Sequence, residues 1–121
     1  MPAESYIIDG ARSPIGLKNG KMVGVRSDDL TAMVIKGLMR RNPNIPSNCI
    51  EDVVVGCAFP EGPQGMLMAR AISILSELPV ETGGKVVNRF CGSSMDSVHQ
   101  LSQAIVAGDI DAGIAAGVED M

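Results

Sequence analysis

Aromatic side chains are scarce in this chain of 121 residues: it has no tryptophan, one tyrosine and two phenylalanines. Any core must therefore be built from aliphatic residues, Met and Ala. Basic residues are also in the minority. Ten Lys and Arg stand against fourteen Asp and Glu, for a formal net charge of -4 and a sequence pI near 4.8. That balance argues against a basic face for nucleic acid, so no nucleic-acid partner is expected. It leaves room for a local patch of Arg and Lys that meets an anionic ligand. No stretch reaches the roughly 18 apolar residues of a membrane span. Met1 to Ser5 carries no basic start followed by an apolar run, so no signal or transit peptide is read. Cys49, Cys57 and Cys91 are an odd set without a C-x-x-C pair. The simplest reading is a reduced, cytoplasmic compartment with neither a disulfide framework nor a zinc site.

Hydrophobic residues make up 45% and charged residues 20%, enough for one small folded domain and too apolar for disorder. Tyr6–Ala11 reads as a first strand, broken by Pro14 and Gly16. Ser27 looks like an N-cap, with Asp28 and Asp29 in the first turn and Leu30, Met33, Val34 and Leu38 at helical spacing. Arg40 and Arg41 suit the negative end of that helix, and Pro43 stops it. Val53-Val54-Val55, within 51–59, is typical of a strand covered on both faces. A second helix is expected over 66–78, a third strand over 85–90 and a third helix over 91–107. Met95, Val98, Leu101 and Ile105 share one face of that third helix, and Gly108 fits its C-terminal cap. A fourth strand, 111–118, is made of small residues that let neighbouring layers approach closely. The order β-α-β-α-β-α-β predicts an α/β fold with a mostly parallel sheet and right-handed crossovers. The chain stops at Met121, just after a strand of buried type, which points to truncation.

Several motifs fail. No G-x-G-x-x-G follows a strand, so a dinucleotide fingerprint is absent. Gly83-Gly84-Lys85 lacks the upstream glycine of a phosphate loop and has Val86 where Ser or Thr belongs. Asp28-Asp29 is explained by a helix start and Glu119-Asp120 by a solvated strand end.

Chemistry concentrates at Cys91. It stands where the apolar run ending at Phe90 meets a helical pattern, beside Gly92. There the thiol meets free N–H groups and the positive end of a helix dipole, which favour thiolate and make Cys91 a candidate nucleophile. The alternative is an ordinary buried cysteine, the reading kept for Cys49 and Cys57. The single histidine, His99, lies eight residues on, roughly 12 Å along a helix axis, too far to be a base for Cys91. It reads as a helix residue beside Asp96. Any base must come from elsewhere.

The segment Val87-Asn88-Arg89-Phe90-Cys91-Gly92-Ser93-Ser94-Met95 closely resembles the active-site segment of the thiolases of fatty-acid β-oxidation. Three further matches follow the family order. Ala11 to Gly16 resembles its opening R-[TS]-P-[IF]-G. Gln64-Gly65 with Ala69-Arg70 resembles the start of its second helix, and Gly117 to Met121 its G-[GMV]-E-x-M strand end. Leu67 stands where relatives often carry Asn, and Ser94 where many carry Gly. The resemblance covers essentially the whole chain and implies that residues 1–121 are part of a thiolase N-terminal domain. The family's G-H-P histidine, C-x-G-G-G cysteine and N-E-A-F loop would all lie downstream.

The resemblance implies an acyltransferase that cleaves 3-ketoacyl-CoA with CoA, through an acyl thioester on Cys91, to acetyl-CoA and a shortened acyl-CoA. The Cys91 backbone N–H would form part of an oxyanion hole. Acyl-CoA and CoA would be substrates, with no bound cofactor and no metal. A homodimer or homotetramer, and a β-oxidation multienzyme partner, would be the expected assemblies, and these 121 residues alone would be inactive. The alternatives are a biosynthetic acetoacetyl-CoA thiolase, a non-catalytic thiolase-like acyl-binding or partner subunit, and a plain α/β binding domain with a structural cysteine.

Overall fold

The computed structural model describes residues 3–121. Three strands, β1 (Asp52–Gly56), β2 (Gly83–Val87) and β3 (Gly113–Gly117), alternate with helices α1 (Ser27–Arg41), α2 (Met68–Leu75) and α3 (Ser93–Ala107). The sheet order is β2-β1-β3 and both pairings are parallel, in register from Asp52 opposite Gly83 and Gly113 to Gly56 opposite Val87 and Gly117. Val53, Val54 and Val55 of the central strand are wholly buried, as expected for a strand covered on both faces.

Alternation along the strands assigns the two layers. Val53 and Val55, with Ile114 beside them, pack in one core with Ala69 and Ile72 of α2 and Ile35 of α1. Gly56, Gly113 and Gly117 face α3. A Cβ added at Gly56 would lie 2.3 Å from the Ser93 carbonyl carbon, at Gly117 2.4 Å from the Ser94 Cβ, and at Gly113 2.7 Å from a Leu101 methyl. The small-residue strand does let a layer approach closely, and the approaching layer is the N-terminal half of α3. Ser97 seals it, donating its hydroxyl to the Ser94 and Ala116 carbonyls at 2.6 and 3.1 Å.

The structure corrects several expectations. Tyr6–Ala11 is not a strand. No described strand lies beside it, and Tyr6, Ile7 and Ile8 are exposed. It is moored by Asp9, which accepts from the Arg41 guanidinium (2.9 and 2.7 Å) and from Asn42 Nδ2 (2.7 Å). Those bonds, Arg41's first, hold the Asp9 carboxyl well below the usual carboxylate range. Ser27 is the first helical residue and not the cap. Arg26 occupies the cap position, and the buried Ser27 hydroxyl finds no partner among the described residues. The buried stripe of α1 is Asp28, Thr31, Ala32 and Ile35, whereas Met33 is exposed.

The second helix is shorter than 66–78. Met66 has φ +54°, which precludes a helical start there, and Glu77 at φ +62° turns the chain out after Ser76. The third strand begins two residues early and ends at Val87, since Asn88 starts a turn. The third helix begins at Ser93. Its buried residues are Ser93, Ser97 and Leu101, with Met95 largely exposed. No helix among the described residues is long and apolar enough to cross a membrane.

Gly56→Ala is expected to lower stability by about 1–3 kcal/mol or more, because the clash is with backbone that cannot step aside. Gly37→Ala is expected to raise it by about 0.5–1 kcal/mol, since a Cβ there meets nothing within 4 Å on a helix. Denaturant midpoints of both variants check the pair; a Gly56→Ala variant as stable as the parent contradicts the packing described.

Candidate active site

After Val87 the chain makes a tight turn before α3. Phe90 takes φ +46°, a left-handed conformation costing a bulky residue about 1–3 kcal/mol. Such a turn persists only if its surroundings impose it. Five bonds do so from within: Phe90 N–H donates to Asn88 Oδ1 (3.0 Å), Arg89 N–H to Ser93 Oγ (2.7 Å), Ser93 Oγ to the Phe90 carbonyl (2.6 Å), Gly92 N–H to the Arg89 carbonyl (3.0 Å) and Ser93 N–H to the Phe90 carbonyl (3.1 Å). Cys91 is thereby held out at the surface. It precedes the helix instead of opening it, because Ser93 N–H bonds back to the Phe90 carbonyl and Gly92 occupies the cap position. The N–H groups of Cys91, Ser94 and Met95 donate to no described backbone carbonyl. The orphan donors of the α3 start therefore lie next to the thiol.

The turn stands over the C-terminal ends of parallel strands, where open α/β sheets gather their chemistry. Two other strand ends meet it. The chain leaving β1 runs through Cys57, Ala58 and Phe59, and the chain leaving β3 brings Glu119. Glu119 is no mere solvated strand end. Its carboxylate accepts from Ala58 N–H (2.8 Å) and Phe59 N–H (3.1 Å), with the Cys57 thiol 3.7 Å away. Asn88 Nδ2 donates to the Ala58 carbonyl at 3.0 Å. Gln64, only 3% exposed, donates to the Phe59 carbonyl (2.9 Å) and accepts from Asp120 N–H (2.6 Å).

The three cysteines separate cleanly. Cys49 is exposed in a 3-10 turn (Ser47–Cys49) that precedes β1, at the opposite end of that strand from Cys57. Cys57 is fully buried, and its thiol is pushed above the ordinary value by burial first and the Glu119 charge second. His99 is exposed and lines an open groove with Lys85, Arg89, Asp96 and Gln100. Cys91 does not line that groove, so the two residues are not brought together. Asp96 sits beside His99 as read, but its bonds go to Gln100 Nε2 (2.8 Å) and Arg89 Nη1 (3.1 Å). No group of three or more His, Cys, Asp or Glu suited to a metal occurs among the described residues.

The family model "Thiolase, N-terminal domain" matches residues 5–121. The chain belongs to the thiolase family. It is 44% identical over 118 residues to a beta-ketoadipyl-CoA thiolase of Escherichia coli, covering 98% of this chain and 29% of that protein. It is also 44% identical over 121 residues to a 3-ketoacyl-CoA thiolase of Marinomonas sp. (strain MWYL1), covering 99% and 31%. A 3-ketoacyl-CoA thiolase of Aliivibrio salmonicida (strain LFI1238) is 46% identical over 116 residues, covering 95% and 30%. The chain thus spans under a third of the length of these curated relatives.

Sequence reasoning placed Asn88, Gln64 and Glu119 within family-like segments but gave none of them a role at this site. Asn two residues before a left-handed position is the one local signal that was available, since Asn side chains bond the N–H two residues on.

The Cys57 thiol gives a pH signature. Its proton is held more tightly folded than unfolded, so its contribution is intact below the ordinary thiol pKa and is lost as pH rises through the raised one. Denaturant midpoints from pH 7 to about 10.5 should fall more steeply for the parent than for Cys57→Ala. Parallel curves contradict the assignment.

Proposed function

We propose that this chain carries the nucleophile of an acetyl-CoA C-acyltransferase acting on 3-ketoacyl-CoA thioesters. The observation that carries the reading is an exposed Cys91 in an enforced left-handed turn, with unbonded N–H groups beside it, in a thiolase N-terminal domain. Relatives named for beta-ketoadipyl-CoA and for 3-ketoacyl-CoA have the 3-keto thioester in common as a reacting centre. That shared centre is the proposed substrate class.

The Cys91 thiolate attacks C3 of the substrate, and its new S–C bond places negative charge on the former keto oxygen. The Cys91 N–H is one donor to that oxyanion, a contribution of about 10²–10³ in rate. Collapse breaks the C2–C3 bond. The electron pair leaves as the enolate of acetyl-CoA, which takes a proton from an acid other than Cys91. CoA then attacks the acyl thioester and releases Cys91, a ping-pong sequence. Neither His99, in its separate groove, nor the buried Cys57 serves as base or acid in this scheme. These residues alone would therefore turn over negligibly. CoA is a substrate, no resident cofactor is invoked, and the assembly is a homodimer or homotetramer in a reduced cytoplasm, with association with a β-oxidation multienzyme partner also open.

Cys91→Ala in the full-length protein is expected to lower kcat for thiolysis by roughly 10⁴-fold or more, with the fold retained. Iodoacetamide should label Cys91 ahead of Cys49, which is also exposed, and Cys57 last. Undiminished turnover of Cys91→Ala contradicts the proposal, and equal labelling of all three thiols favours a binding domain with structural cysteines.

A further inference from the structure

The left-handed turn before Cys91 has five bonds inside its own segment, 88–93. Its bonds outward go forward to Asp96 of α3, from Arg89 Nη1 and to the Gly92 carbonyl, and across to the end of β1, from Asn88 Nδ2 to the Ala58 carbonyl. The same side chain accepts from Phe90 N–H through Oδ1. Asn88 therefore couples the turn to the end of β1, and no other side chain of 88–93 bonds the 57–59 segment. Ala58 is not free either, because Glu119 holds the N–H groups of Ala58 and Phe59 from the end of β3. The path runs Glu119 carboxylate, Ala58 backbone, Asn88 amide, Phe90 N–H, and ends one peptide before the Cys91 sulfur.

We propose that Asn88 is a positioning residue for Cys91, and that Glu119 acts through it by fixing the Ala58 carbonyl. The inference rests on the reading of Cys91 as nucleophile. The amide is required at position 88 because both halves are used: one donates and one accepts. Aspartate keeps the acceptor for Phe90 and sets a carboxylate against the Ala58 carbonyl. Alanine loses both bonds. With the bond to Ala58 gone, the peptide between Phe90 and Cys91 loses its one side-chain link to the chain leaving β1. The thiol and its own N–H then lose their common alignment on the substrate carbonyl. Small misplacements of that kind cost about 10²-fold in the chemical step without weakening binding of the distant parts of the substrate.

The test uses the full-length protein and steady-state thiolysis of a 3-ketoacyl-CoA. Asn88→Asp and Asn88→Ala should lower kcat by about 10–100-fold while KM stays within about twofold. Glu119→Gln should lower kcat less, and should add little in the Asn88→Ala background, since both act on one path. If Asn88→Ala does not fold, Asn88→Asp decides, because it keeps the bond to Phe90. Unchanged kcat in Asn88→Asp, or a loss confined to KM, overturns the proposal. So do fully additive effects of the two positions as regards Glu119. Cys91→Ala run beside them separates the two readings. If it stays active, the nucleophile assignment has failed; if it is dead while Asn88→Asp is fully active, only the positioning role has.

Discussion

The close approach of α3 to the sheet is the constraint on which the rest depends. Gly56 and Gly117 leave no room for a side chain between the strand ends and the start of the helix. Ser93 and Ser97 fill the opposite side with small hydroxyls that bond backbone carbonyls. A helix packed this close must begin directly above the strand ends. The chain joining Val87 to Ser93 then has only five residues in which to reverse, and it does so through a left-handed Phe90. The exposure of Cys91 follows from that short path. The thiol is presented by a hydrogen-bonded turn held between the end of β2 and a helix packed against the sheet.

Burial and charge sort the polar groups around this turn by role. Cys57, on the chain leaving the central strand, is kept protonated in an apolar setting next to a carboxylate. Cys91, on the chain leaving an edge strand, faces outward. Glu119 satisfies two backbone N–H groups that would otherwise be orphaned at the strand ends, where unmade bonds are costly. Glu119 thereby ties the end of β3 to that of β1, and Asn88 ties the end of β2 to the same segment. Gln64 pairs Phe59 with Asp120.

Much of this was legible in the residues. The Val53-Val54-Val55 run marks the central strand and the small residues of 113–117 mark a close contact. The strand–Cys–helix junction marks the turn that carries the exposed Cys91. Periodicity failed where small polar residues and not large apolar ones face the core. Ser93 and Ser97 in α3 are buried because that helix approaches the sheet closely, and Thr31 and Ala32 are buried in α1, whereas hydrophobic spacing alone points to Met95 and Met33, which are exposed. Tyr6–Ile8 has strand composition, but a strand exists only with a partner, and composition does not supply one. The Glu119 and Asn88 contacts join residues 60 and 30 positions apart, a relation that no local pattern encodes.

The central claim is that Cys91 accepts the acyl group. The most direct measurement is mass analysis of the full-length protein after incubation with a 3-ketoacyl-CoA in the absence of free CoA. A mass gain equal to the shortened acyl group, localised to the peptide bearing Cys91 and discharged on adding CoA, is the predicted result. An acyl group found on Cys49 or Cys57, or turnover with no acylated protein at all, would contradict the account.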